Sequence, residues 1–114
     1  MNFRYKYGNK KCRYGNRIYH SRLEAGGAMW LDLLLKQGKI AEVKPQCRLD
    51  VRHNGKHIYN MIPDFRVTLN DGRIKYAECK GFPTREWVLQ VKVLRAIMPE
   101  IVYLVNPNEK ELLE

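Results

Sequence analysis

The sequence has no run of eighteen apolar residues, so it contains no stretch suited to cross a bilayer as a helix. It opens on Met-Asn-Phe-Arg-Tyr-Lys, without the apolar core of a signal peptide, and a cytoplasmic location is expected. Cysteine is scarce: Cys12, Cys47 and Cys79 are odd in number and widely spaced, which excludes a disulfide framework. No Cys-x-x-Cys pair occurs, and no structural zinc site is read. Internal repeats and low-complexity segments are absent. Acid is absent from the first 23 positions, which hold seven basic residues: Arg4, Lys6, Lys10, Lys11, Arg13, Arg17 and Arg22.

That last absence is informative. Phe3, Tyr5, Tyr7, Tyr14 and Tyr19 interleave with the cations, and the net charge is +9 from 21 basic and 12 acidic residues. Clustered cations draw phosphates by counterion release, and aromatic rings stack on bases. A nucleic-acid partner is expected. An anionic membrane fits less well, because the segment has no amphipathic period. The 114 residues make one domain, with a basic arm over 1–20 and an acidic tail over 106–114.

Between these ends the chain reads as mixed α/β. The arm, with Gly8, Gly15 and two Gly-Asn pairs, reads as irregular or a loose hairpin. Ser21 caps a helix over 22–36 carrying Leu23, Gly27, Trp30, Leu31 and Leu34 at helical spacing, and Gly38 stops it. Gly26-Gly27 weakens that helix by about 1 kcal/mol per glycine and allows a close approach. Residues 40–51 are extended, with Pro45 at an edge or bulge. Asn54-Gly55 is a hairpin signal. A strand over 57–69, a turn at Asn70-Asp71-Gly72 and a strand over 73–80 follow. Thr84 caps a second helix to Met98 with Trp87, Val91, Leu94 and Met98 on one stripe. Residues 101–105 form a short apolar strand, expected at the centre of the sheet. The tail is expected to fray.

Two strands suited to a core carry charges that need a reason. Glu78 and Lys80, two residues apart, emerge on one face. Asp64 sits among Ile62, Pro63 and Phe65. If Asn70-Asp71-Gly72 is a three-residue loop, Leu69 opposes Arg73 and Asp64 falls opposite Glu78, with Cβ atoms about 4.5–5.5 Å apart. If Asp71-Gly72 is a two-residue turn, Asp64 opposes Cys79, and the apolar residues of the two strands match better. The sequence leaves both registers open. Where the carboxylates converge they repel and need a cation, and hard oxygen donors favour Mg²⁺ or Mn²⁺. Such an ion polarises a phosphate oxygen and activates water, and a neighbouring lysine steadies the developing charge.

Pro63-Asp64 followed by Glu78-Cys79-Lys80 on the next strand resembles the PD-(D/E)XK nuclease superfamily. The order helix, three strands, helix, strand is similar to its restriction-endonuclease-like core (α-β-β-β-α-β), a mixed central sheet flanked by helices. The stretches "KYGNKK", "SRLEA", "PDF" and "ECKGF" resemble a small phage and prophage family related to virus-type replication-repair nucleases and Holliday junction resolvases. The resemblance implies an Mg²⁺-dependent endodeoxyribonuclease acting on branched or duplex DNA, as a homodimer in junction resolution, with no small-molecule cofactor. It implies that Asp64, Glu78 and the Cys79 carbonyl ligate the metal and that Lys80 is the catalytic lysine. Glu24 would serve a second metal or a water, and Gln90 and Lys92 lie on the helix that lends a polar residue to such sites.

Blander readings exist for several of these residues. Ser21-Arg22-Leu23-Glu24 also spells a capping box, in which the Glu24 carboxylate reaches back to the helix end. Glu78 and Lys80 also read as a surface pair, which contributes little. His20, His53 and His57 are general-base candidates that the metal-and-lysine scheme does not need. Trp30 and Trp87 read as core, and Cys79 faces away from its neighbours and reads as packing. The alternative to an enzyme is a non-catalytic basic module that binds nucleic acid.

Overall fold

The computed structural model describes residues 21–114 in full and the backbone of residues 12–14 and 17–19. Two short strands, β1 (Cys12–Tyr14) and β2 (Arg17–Tyr19), pair antiparallel within the arm and lie against the first helix. That helix, α1 (Arg22–Lys36), starts where Ser21 Oγ accepts from Glu24 N at 3.1 Å. It ends before Gly38, whose φ of +74° suits a residue without a side chain. Its buried stripe is Ala25, Ala28, Leu31 and Leu34, while Leu23 stays exposed.

Five strands follow: β3 (Ile40–Pro45), β4 (Leu49–His53), β5 (Lys56–Met61), β6 (Phe65–Leu69) and β7 (Ile74–Glu78). Then come α2 (Arg85–Ile97), β8 (Val102–Val105) and α3 (Glu109–Leu113). The main sheet runs β3-β6-β7-β8 and is mixed: β3–β6 and β6–β7 are antiparallel, β7–β8 parallel. One face, with Phe65, Val67, Leu69, Ala77 and Leu104, packs on α1 and Leu112. The other carries Tyr103 and packs on Val91 and Leu94 of α2 and on the β4–β5 hairpin through Leu49, Val51 and Met61. The fold is thus mixed α/β with helices around a mixed sheet.

Three expectations change. The strand expected over 57–69 is two strands, because Pro63 lacks the N–H to continue a ladder; β5 pairs with β4 while β6 joins the main sheet. The 102–105 strand lies at the end of the described sheet order, beyond β7, and not at its centre. The tail is anchored: Asn108 caps α3 by accepting from Glu111 N at 2.8 Å, and Leu112 is fully buried.

The β6–β7 hairpin takes the three-residue loop. Leu69 N donates to Arg73 O at 2.8 Å and Gly72, at φ +91°, donates to Leu69 O at 3.0 Å. Phe65 faces Ala77 and Thr68 faces Ile74, so the register carries Asp64 to Glu78. This register turns Lys75 into the core at 3% exposure. The ammonium is accommodated because Nζ donates to the Glu111 carbonyl at 2.8 Å, in the last turn of α3 where carbonyls lack helical partners. An apolar mismatch in the hairpin is therefore settled by an element far along the chain.

Candidate active site

Pro63 breaks the chain just before β6 and leaves Asp64 at its entrance. There the Asp64 carbonyl accepts from Gln46 N at 2.8 Å and Asp64 Oδ2 accepts from Cys79 N at 2.9 Å. The Asp64 and Glu78 carboxyl groups lie within hydrogen-bonding reach of one another. Burial first, and Glu78 second, push the Asp64 pKa up to about 8. The Asp64–Glu78 pair therefore favours keeping a proton when no cation is present.

Glu24 is 5% exposed on the first turn of α1. Its main-chain N–H is taken by the Ser21 cap, and its carboxylate accepts from Gln46 Nε2 at 3.3 Å. Its charge helps raise both Asp64 and the Cys79 thiol, the latter pushed up to about 12 chiefly by burial. Asp64 and Glu78 form one acidic pair with the Glu24 charge near it, and among the described residues none of the three is in an ion pair.

Lys80 follows Glu78 at the end of β7. Asn106 holds its main chain at both ends: Lys80 N donates to Asn106 Oδ1 and Asn106 Nδ2 donates to Lys80 O, each at 3.0 Å. Asn106 N also donates to Glu78 O at 2.8 Å, from a backbone at φ +49°. The Lys80 ammonium lies 5.5 Å from the centroid of the Trp87 ring, a cation–π contact. Trp87 packs at 6.2 Å on Tyr103, whose hydroxyl donates to Glu78 Oε2 at 2.8 Å. Burial and the Glu78 charge hold the Tyr103 phenol far above its usual range, so it stays a donor.

Behind Cys79 the helix comes very close. A Cβ at Gly27 would stand 2.5 Å from Cys79 Sγ and 3.3 Å from Phe65. Gly27 thus lets α1 settle on the end of β7 and carry Glu24 into the site. Gly26 has open space around it.

The structure brings Glu24, Asp64, Glu78 and Cys79 together, while Lys80, next along the chain, has its ammonium over the Trp87 ring. Lys92 is exposed on α2; Gln90 is half-buried, and its carbonyl accepts from the Tyr59 hydroxyl. Arg22 is exposed at the start of α1. Arg4, Lys6, Lys10, Lys11 and His20 lie outside the described residues, and Arg13 and Arg17 are described in backbone only. Gln46, Tyr103 and Asn106 are site residues that sequence reasoning missed. Tyr103 alone left a signal, a phenol inside an apolar run whose hydroxyl needs a partner.

Among the described residues no three His, Cys, Asp or Glu side chains are placed to hold a metal ion. A set of two carboxylates and a main-chain carbonyl asks for only two such side chains. The paired oxygens of Asp64 and Glu78, uncompensated by any ion pair, fit a hard divalent cation.

The chain belongs to the family described as Protein of unknown function (DUF1064), whose model matches residues 4–106 and so spans every site residue from Glu24 to Asn106. No curated protein and no solved structure gives a match.

Proposed function

We propose that the protein is a metal-dependent DNA endonuclease with a restriction-endonuclease-like, PD-(D/E)XK core. It would hydrolyse phosphodiesters selectively in branched duplexes such as four-way junctions, in the cytoplasm of a host carrying a phage or prophage. The observation behind this reading is the contact of Asp64 with Glu78, beside Lys80, in a hairpin register that left a lysine to be buried elsewhere.

Asp64, Glu78 and the Cys79 carbonyl would hold Mg²⁺ or Mn²⁺, with Glu24 placed for a second ion or a water. The bound ion supplies positive charge that neutralises the paired carboxylates and polarises a phosphate oxygen. Cys79 N–H and Tyr103 O–H each occupy one carboxylate oxygen, which leaves the others to face a ligand. The Lys80 ammonium, which rests over the Trp87 ring, would meet the charge that develops on the phosphate. Gln46 orients Glu24. The basic residues of the arm and Arg22 would guide the phosphate backbone. Two copies would set two sites on the two strands of a junction.

The test is cleavage of a labelled four-way junction beside linear duplex and single strands, in Mg²⁺, Mn²⁺ and chelator, with wild type and Asp64→Ala. Metal-dependent cutting that Asp64→Ala abolishes is the expected result. The lack of a three-side-chain metal cluster among the described residues favours the second reading, a non-catalytic binding module. That reading is correct if the protein binds these DNAs tightly and cuts none in any metal.

A further inference from the structure

Among the described residues, the β4–β5 hairpin is packed over one half and bare over the other. Leu49, Val51 and Met61 are buried against Val91, Leu94 and Tyr103, and the Tyr59 hydroxyl donates to the Gln90 carbonyl of α2. Beyond the pair Val51–Tyr59, every residue from 52 to 58 is exposed, so both faces of the hairpin stand clear there. Asn54 at φ +51° and Gly55 at φ +75° close the tip in a tight turn. At about 3.4 Å per residue from Val51 to Asn54, the bare half extends about 10 Å past the last buried pair.

The chemistry of this tip is of one sign. Residues 52–58 read Arg-His-Asn-Gly-Lys-His-Ile, with cations and imidazoles and no acid. Asp50, the acid nearest along the chain, is covered: Arg52 Nε donates to its Oδ2 at 2.7 Å and His57 Nδ1 lies 2.6 Å from its Oδ1. Arg52 Nη1 donates to the Gly55 carbonyl at 2.9 Å, so this guanidinium is turned onto the hairpin itself. Lys56, exposed and opposite His53 beside the turn, is the cation left to reach outward. Ile58, 49% exposed, is the one large apolar side chain of the tip, whereas a surface that docks a protein carries an apolar centre. The major groove of B-DNA is about 12 Å wide and about 8.5 Å deep and admits a two-stranded hairpin, while the minor groove, about 6 Å wide, is too narrow. A projection of about 10 Å matches that depth, and phosphates line the groove on both sides.

We infer that the tip of the β4–β5 hairpin enters the major groove of duplex DNA, with Lys56 on a phosphate of the groove wall, as a contact separate from the carboxylates. The inference rests on the proposed function for its nucleic-acid partner and sharpens the substrate class: intact duplex must lie beside the branch. It does not depend on the cutting chemistry. The hydrogen bond from Gln46 N to Asp64 O joins the foot of the hairpin to the acid pair. From Gln46 to Asn54 the chain climbs at most about 27 Å, so the duplex held by the tip lies within about eight base pairs of the carboxylates.

The experiment measures binding of the full-length protein in chelator, by anisotropy, to a labelled linear duplex and to one of its strands over a series of salt concentrations. Wild type is compared with Lys56→Ala, Lys56→Arg and Lys110→Ala; Lys110 is exposed on α3, whose Leu112 packs on the opposite face of the main sheet. Lys56→Ala should weaken duplex binding about five- to ten-fold near 0.1 M salt and lower the slope of log affinity against log salt by about one. Its single-strand binding should stay within about two-fold of wild type. Lys56→Arg should restore the duplex affinity, and Lys110→Ala, which removes the same charge, should change nothing. Undiminished duplex binding in Lys56→Ala overturns the inference. Equal losses on duplex and single strand, or in Lys56→Ala and Lys110→Ala, also overturn it, because they reduce the effect to general charge attraction. A change from dimer to monomer in Lys56→Ala with duplex affinity unaltered overturns it and assigns the tip to self-association. In each of these cases a junction still cut in Mg²⁺ leaves the nuclease reading intact. If no DNA is cut in any metal while the Lys56 effects stand, the nuclease reading fails and the groove contact holds.

Discussion

Asp50 and Asp64 are close in sequence and opposite in circumstance. Asp50 stands exposed on β4, where Arg52 Nε meets one oxygen at 2.7 Å and His57 Nδ1 the other at 2.6 Å. The His57 and Arg52 hydrogen bonds hold its pKa below the usual carboxylate value. Asp64 is half-buried with two carboxylates near it, and its pKa is pushed up to about 8. A fold at rest gives an aspartate cations and water, as at Asp50. Setting acids against acids out of water is an arrangement that stability alone does not select, and it is the ground for proposing Asp64 as the functional one.

The widest separation of the two is expected in catalysis. Asp64→Asn should reduce metal-dependent cleavage on the order of 10²–10³-fold, whereas Asp50→Asn should leave the rate within about two-fold. Cleavage lost equally in both would erase the distinction.

Stability should move the other way. Unfolded, Asp64 titrates near the ordinary aspartate value of 3.8, and in the fold it is pushed up to about 8, so the folded form favours the proton. The stabilisation of the protonated form is complete below pH 4 and is lost as pH rises through 8. In chelator the melting temperature should therefore fall between pH 5 and pH 8. Asp64→Asn, which keeps an acceptor for Cys79 N–H, should flatten that slope and stabilise the protein by about 1–3 kcal/mol at pH 8. Asp50 carries the opposite sign: its contribution is present at neutral pH and disappears as pH falls below the usual carboxylate range. Mg²⁺ titrated at pH 8 should raise the melting point of wild type and not of Asp64→Asn.

Packing around the acidic focus gives the next effect. Gly27→Ala should destabilise by about 1–3 kcal/mol through the clash with Cys79 Sγ, and Cys79→Ala in the same chain should recover most of it. If the two losses simply add in a thermal melt, the close approach is not the reason for the glycine. Tyr103→Phe removes one donor from Glu78 and should cost about 1 kcal/mol. Smallest of all, Asp50→Asn should leave the melting temperature nearly unchanged, as exposed ion pairs contribute little.

The elements governed by local chemistry were legible in advance. The Ser21 and Thr84 caps, the Gly38 stop and the Asn54-Gly55 turn are spelled by neighbouring residues, and both long helices end within a residue of expectation. The hairpin register was not legible, because the residues of the hairpin alone match better in the other one. The α3 carbonyl that receives Lys75, which accommodates the buried ammonium of the formed register, lies far along the chain. Gln46 and Asn106 escaped for a similar reason. Their roles depend on positive φ values and on partners distant in sequence, and an ordinary Gln or Asn shows neither in sequence. Glu24 read equally as a cap or a site acid; the structure gives the cap to Ser21 Oγ and turns the carboxylate to Gln46.

The β4–β5 ribbon leaves the main body after Gln46 and returns just before Asp64, and those two residues are tied by the hydrogen bond from Gln46 N to Asp64 O. The ribbon is thus a module with a closed neck. Residues added or removed at its Asn54-Gly55 tip alter its reach and leave the carboxylates where they are. One residue inserted at either side of the neck would displace Gln46 or Asp64 and with it the whole acidic cluster. Variation among relatives should accordingly collect at the tip, and lengths at the neck should stay constant.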